Sequence, residues 1–124
     1  MLPEKLRYTK DHEWVEAIGI ETKIGITDFA QSELGEIVFV ELPAIGKAVK
    51  AGETLCVIES TKAASDVYAP VSGVVVSVNA ELAAAPDQIN KDPFASGWMV
   101  MLKDVNQSEV TGLLSAEEYS KLIK

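Results

Sequence analysis

The brevity of its apolar runs constrains this chain more than any other feature. EIVFVEL at 36–42, TLCVIE at 54–59, VVVSV at 74–78 and WMVML at 98–102 are five to seven residues long and rich in β-branched and aromatic side chains. Turn residues punctuate them: PAIG at 43–46, KAGE at 50–53 and APVSG at 69–73. Runs this short and closely spaced build strands rather than long helices. The chain therefore reads as a compact β sandwich or barrel with small peripheral helices.

The remaining segments fit that frame. Trp14, Val15, Ala17 and Ile18 mix with Glu13 and Glu16, Gly19 breaks the run, and Ile24 and Ile26 resume it with period two, which predicts a hairpin. Thr27-Asp28 ahead of Phe29, Ala30 and Leu34, with Gly35 behind, predicts a short capped helix. Ala48-Val49 is a short extended piece between two turns, and Val67-Tyr68 another before the 69–73 turn. Asn79 is expected to cap an alanine-rich helix that Pro86 ends, and 87–92 to be irregular or one helical turn. WMVML is wholly apolar, which predicts a last strand buried on both faces. Ser115 and Glu118 have capping-box spacing and open a C-terminal helix carrying Tyr119, Leu122 and Ile123. No linker or low-complexity run divides the chain, so residues 1–124 are expected to form one domain. A faint echo, turn-Gly-strand at 51–58 and again at 72–78, would suit a pseudo-symmetric pair of hairpins.

Composition limits the functions. The 48% hydrophobic content suffices for a core without cross-links. A formal charge of −8 repels phosphate backbones and anionic lipid, so neither a nucleic-acid nor a membrane partner is expected. The single cysteine, Cys56, lies in an apolar run and reads as a buried small side chain. The lone His12 and scattered carboxylates lack metal-ligand spacing, and no nucleophile elbow, dinucleotide fingerprint or phosphate loop is present. His12 reads as hydrogen-bonded at a strand start. Residues 1–10 show neither a secretion nor a transit pattern, so a cytoplasmic protein is expected, or a mitochondrial-matrix one whose leader was removed.

One feature exceeds what folding needs. ESTKAASD at 59–66 places Lys62 between the strand at 54–59 and the extended Val67-Tyr68, at a tight reversal. A lysine there projects a flexible amine into solvent with nothing to hold it, suited to covalent acylation, which removes its charge. Ala63, Ala64 and Ser65 leave it sterically open, while Glu59 and Asp66 make the tip acidic. On spacing alone, an ordinary solubility lysine explains the segment as well.

The wider pattern resembles a family. ESTKAASD with YAPVSG at 68–73 is similar to the lipoylation segment of glycine cleavage system H proteins. YTKDHEW at 8–14, GITDFAQ at 25–31, LGEIVFVELP at 34–43 and the Ile89-Asn90, Asp92-Pro93-Phe94, Gly97-Trp98 pattern resemble the rest of the family in order. The resemblance spans roughly the whole chain. It implies a mostly β, lipoyl/biotinyl-domain-like barrel-sandwich hybrid with short peripheral helices and a C-terminal helix. It also implies a monomeric, non-catalytic carrier with lipoic acid in amide linkage to Lys62. The arm would take an aminomethyl group from a pyridoxal-phosphate glycine decarboxylase to a tetrahydrofolate-dependent aminomethyltransferase, with dihydrolipoamide dehydrogenase reoxidising the dithiol. Lipoate-attaching enzymes would load it. By position, Glu13 and Asp66 would hold the protonated amine of the folded-back arm.

Two departures stand out. Thr61 occupies a position where the family usually has an aliphatic residue, and the hairpin around 17–22 is shorter than usual. Other readings are a lipoate relay or donor, a lipoyl domain of a 2-oxo acid complex, and an interaction domain with an unmodified lysine. A biotin carrier is disfavoured because methionines do not flank Lys62.

Overall fold

The computed structural model describes residues 2–123. In chain order its elements are β1 (Arg7–Tyr8), β2 (Glu13–Ile18), β3 (Glu21–Ile26), α1 (Asp28–Leu34), β4 (Ile37–Glu41), β5 (Ala48–Val49), β6 (Thr54–Ser60), β7 (Ala64–Tyr68) and β8 (Gly73–Val78). A 3-10 helix (Ala80–Ala83), α2 (Gln88–Lys91), β9 (Val100–Lys103), α3 (Gln107–Thr111) and α4 (Ala116–Leu122) complete it. The strands form a six-stranded sheet in the order β1-β2-β3-β9-β8-β5 and a three-stranded sheet in the order β4-β6-β7. Every pairing is antiparallel and neither sheet closes on itself. This is the mostly β barrel-sandwich hybrid with short helices that was expected.

Alternation sets the layers. Ile24, Val75 and Leu102 of the larger sheet and Val40, Ile58 and Val67 of the smaller one belong to one buried cluster. Each such side chain stabilises the fold by roughly 1.5–3 kcal/mol. A second cluster, Leu6, Tyr8, Trp14 and Tyr119, anchors α4. Gly25 is required there: a Cβ on it would lie 2.6 Å from the Trp14 ring.

Local signals act as expected at both main caps. Thr27 accepts from the Ala30 amide at the start of α1, and Ser115 and Glu118 form a reciprocal capping box at α4. Two expectations need correction. Asn79 makes no side-chain cap to the 3-10 helix; its amide donates to the carbonyls of Ser96 and Trp98, both at 2.8 Å. A side chain with two tertiary acceptors in reach serves the fold better there than at a one-turn helix end. The last strand starts at Val100, and Trp98 and Met101 are only half-buried, Trp98 lying under the Lys23 ammonium at 5.6 Å. The two halves of the 51–58 and 72–78 echo lie in different sheets, β6 in the smaller and β8 in the larger.

Candidate functional site

The lysine tip is built by Ser60. After the last β6–β7 pair, Glu59 opposite Ala64, the Ser60 amide donates to the Ala63 carbonyl at 2.8 Å. Its hydroxyl oxygen accepts from the amides of Lys62 and Ala63 at 3.1 and 3.2 Å. A serine closing its own turn in this way is common turn chemistry, and its place just before the reversal is a signal the sequence carried. Thr61, Lys62, Ala63 and Ala64 are all exposed. Thr61 contributes its backbone, donating to the Glu36 carbonyl at 3.0 Å.

The tip amine is not free in solvent, contrary to expectation. Lys62 Nζ donates to the Glu33 carbonyl at 3.3 Å, at the C-terminal end of α1. That end leaves carbonyls unpaired and favours a cation. Gly35 lies beside it, and a Cβ there would stand 2.9 Å from Lys62 Cε, which would have to shift aside. Lys62 takes part in neither ion pair found among the described residues, Lys5–Glu16 and Lys91–Asp87.

Beside the tip lies a cleft of about 150 Å³. Glu13 and Asp66 both line it, together with Asp11 and Glu33, over apolar surface that includes Ile26 and Ile58. Glu13 projects from the start of β2 and Asp66 from the middle of β7, so the two sheets bring together carboxylates 53 residues apart in the chain. No lysine or arginine is among the lining residues described.

The two carboxylates have different settings. Asp66 is exposed. Glu13 is 2% exposed, and both its oxygens are engaged: the Thr9 hydroxyl donates to Oε1 at 2.6 Å and the Tyr68 amide to Oε2 at 3.2 Å. Burial raises its pKa to about 7, against the opposing pull of those two hydrogen bonds. A carboxyl group held near neutrality gains most from a cation placed beside it.

His12 also lines the cleft, and here the expected structural role holds. Its Nδ1 lies 2.8 Å from the Tyr119 hydroxyl, which in turn sits 2.7 Å from Thr27 Oγ1. Burial lowers the histidine pKa from its usual value, with Asp11 and Glu33 opposing. Tyr119, which the sequence marked only as an apolar residue of α4, thus ties that helix to the cap of α1 and to the cleft wall. Cys56 is buried, and desolvation pushes its thiol up to about 12, far from a reactive thiolate. No group of three or more His, Cys, Asp or Glu side chains able to hold a metal occurs among the described residues, and no helix among them is long and apolar enough to cross a membrane.

Comparison with known proteins agrees with this geometry. The family model described as glycine cleavage H-protein matches residues 6–124. A glycine cleavage system H protein of Opitutus terrae is 56% identical, covering 98% of this chain and 97% of its own length. One from Carboxydothermus hydrogenoformans is 49% identical over 100% of this chain and 95% of its own. The crystal structure of a glycine cleavage system H protein from Mycobacterium marinum superposes with a TM-score of 0.86 at 39% identity, covering 97% of each chain.

Proposed function

Since the chain belongs to the glycine cleavage H-protein family, we propose that it is a non-catalytic lipoyl carrier acting as one domain over 1–124, with Lys62 the attachment point. The observation that carries this reading is one lysine on an exposed hairpin tip, set beside an acidic cleft with an apolar floor. The residues fit an amide-linked arm. The amine is reachable past exposed Thr61, Ala63 and Ala64, and its one hydrogen bond among the described residues is to a carbonyl at 3.3 Å, weak enough to release.

Acylation forms a bond from Nζ to the carbonyl carbon of an activated lipoyl group. The activating group departs, protons lost from the amine go to solvent, and the tip loses one positive charge. A lipoyl group at Lys62 would supply a disulfide–dithiol couple that carries a one-carbon amine unit. The chain's own part is to hold and shelter that cargo. Glu13 and Asp66 receive the protonated amine, and Ile26 and Ile58 keep water from the apolar end of the arm. Its partners are then the glycine decarboxylase that loads the arm, the aminomethyltransferase that unloads it, dihydrolipoamide dehydrogenase and a lipoate-attaching enzyme.

Intact mass spectrometry tests the attachment. Chain from lipoate-replete cells, or treated with a lipoate-attaching enzyme, should gain one lipoyl mass that Lys62→Ala does not. A bare-chain mass in both would mean an unmodified interaction domain. Glycine-driven exchange of carbon dioxide by glycine decarboxylase should require the modified protein; a lipoylated chain that leaves this exchange unchanged would be a relay or serve another lipoyl pathway.

A further inference from the structure

The Ile89-Asn90 motif has a use that the carrier role alone does not explain. Asn90, on α2, accepts from the Ile37 amide at 2.9 Å and donates to the Gly35 carbonyl at 2.9 Å and to Gln31 Oε1 at 2.8 Å. One side chain therefore clamps the end of α1 to the start of β4. The β4–β6 ladder is irregular between Ile37 and Phe39, so strand pairing by itself leaves that connection loosely held.

The clamped segment is the one that grips the tip. The Glu36 carbonyl takes the Thr61 amide, the Glu33 carbonyl takes Lys62 Nζ, and Gly35 lies against Lys62 Cε. An acylated Nζ loses its charge but keeps one N–H, so the Glu33 carbonyl remains a partner for it. Glu33 and its helix neighbours Ala30 and Leu34 line the cleft, so an arm running from Nζ along them would enter the cleft that Glu13 and Asp66 also line. We propose that Asn90 is a positioning residue for the arm on Lys62, fixing the α1–β4 connection that presents the tip for acylation and then orients the arm toward the cleft. This inference rests on Lys62 being the acylated residue.

The test uses the full chain, a lipoate-attaching enzyme, lipoate and ATP, with kcat/KM for acylation read by intact mass and hydrogen exchange read at the Thr61 amide. Asn90→Ala should lower kcat/KM on the order of tenfold and speed Thr61 exchange by a similar factor. Val110→Ala, which truncates a buried residue of α3 next to the Glu109 that bonds Ser72 beyond the C-terminal end of β7, serves as the stability control. It should lower Tm and leave both readouts unchanged. Asn90→Asp keeps the acceptor for Ile37 but can donate to Gly35 only when protonated, so its rate relative to wild type should rise as pH falls. Wild-type kcat/KM in Asn90→Ala, or equal slowing by Val110→Ala, would overturn the proposal. Should Asn90→Ala not fold, an Asn90→Asp rate equal to wild type at every pH would overturn it instead. A wild-type chain that stays at bare mass fails the carrier reading and the arm-directed role with it, whereas Thr61 exchange, which needs no acylation, reports separately on the clamp.

Discussion

The amide of Tyr68 donates to Glu13 Oε2 at 3.2 Å, joining the end of β7 to the start of β2 and engaging the carboxyl group of a residue that is 2% exposed. The six-stranded and three-stranded sheets thus meet at an ionisable group on the wall of the candidate cleft.

This burial has a pH signature. Glu13 has its pKa raised to about 7, so the folded state holds a proton that the unfolded chain gives up near its ordinary value. The fold is therefore most favoured by this group below the unfolded pKa, and the contribution fades as pH rises to about 7. Between pH 5 and pH 8 that loss amounts to roughly 2–3 kcal/mol, at about 1.4 kcal/mol per pKa unit over the roughly two units of the shift that lie above pH 5. Glu13→Gln has no proton to lose, so between pH 5 and pH 8 its stability should improve relative to wild type by about that amount. Denaturant midpoints at the two pH values decide it; a constant gap would mean that Glu13 titrates normally.

Gly35 should be intolerant of a side chain chiefly because of its backbone. Its φ of 85° with ψ of −158° lies in a region essentially reserved for glycine, and an added Cβ would meet Lys62 Cε. Gly35→Ala should cost about 1–3 kcal/mol from backbone strain alone. The lysine end is free to move aside, so a Lys62→Ala background should leave most of that penalty in place. A penalty that vanishes with the lysine would show that the contact, and not the backbone, excludes a side chain here.

Tyr119→Phe should cost about 1–3 kcal/mol, since it strips the buried Thr27 hydroxyl and His12 Nδ1 of a shared partner. Leu122→Ala on the same helix, 51% exposed, should change stability by less than about 0.5 kcal/mol. Equal losses in thermal unfolding would assign the effect to helix content instead of the hydroxyl.

What the sequence made legible was local. Thr27, Gly35, Ser115 and Glu118 declare their helix ends within four residues, and the strands follow from runs that β-branched residues fill. What it hid was the work of polar side chains across long separations. Asn79 looked like a cap because only its neighbours were visible, yet its acceptors lie 17 and 19 residues on. Asn90 reaches back 53 residues to Ile37 and Tyr119 reaches 107 to His12, and neither leaves a periodic trace. The resting contact of Lys62 with Glu33, 29 residues away, was invisible for the same reason. Lys62, Glu13 and Asp66 were marked by family resemblance, and only the fold shows that the two carboxylates line one cleft.

That shared cleft gives the most direct test of the carrier reading. Glu13 offers a buried carboxyl fixed by two hydrogen bonds, and Asp66 an exposed one that can move to meet a cation. An alkylammonium between them gains charge-assisted hydrogen bonds, each roughly 1.5–3 kcal/mol. Because a carboxylate beside an amine stabilises its protonated form, losing either group should leave the cargo more exposed to water and to hydrolysis. Asp66→Ala and Glu13→Gln should therefore shorten the lifetime of the aminomethyl adduct by about tenfold or more each, at 1.4 kcal/mol per tenfold. The double variant should lose less than the product of the two, since both act on one ammonium. Time-resolved intact mass of the loaded protein, with its partner enzymes removed, measures this directly. Lifetimes equal to wild type in both single variants would remove Glu13 and Asp66 from the cargo site and leave the cleft as an apolar shelter alone.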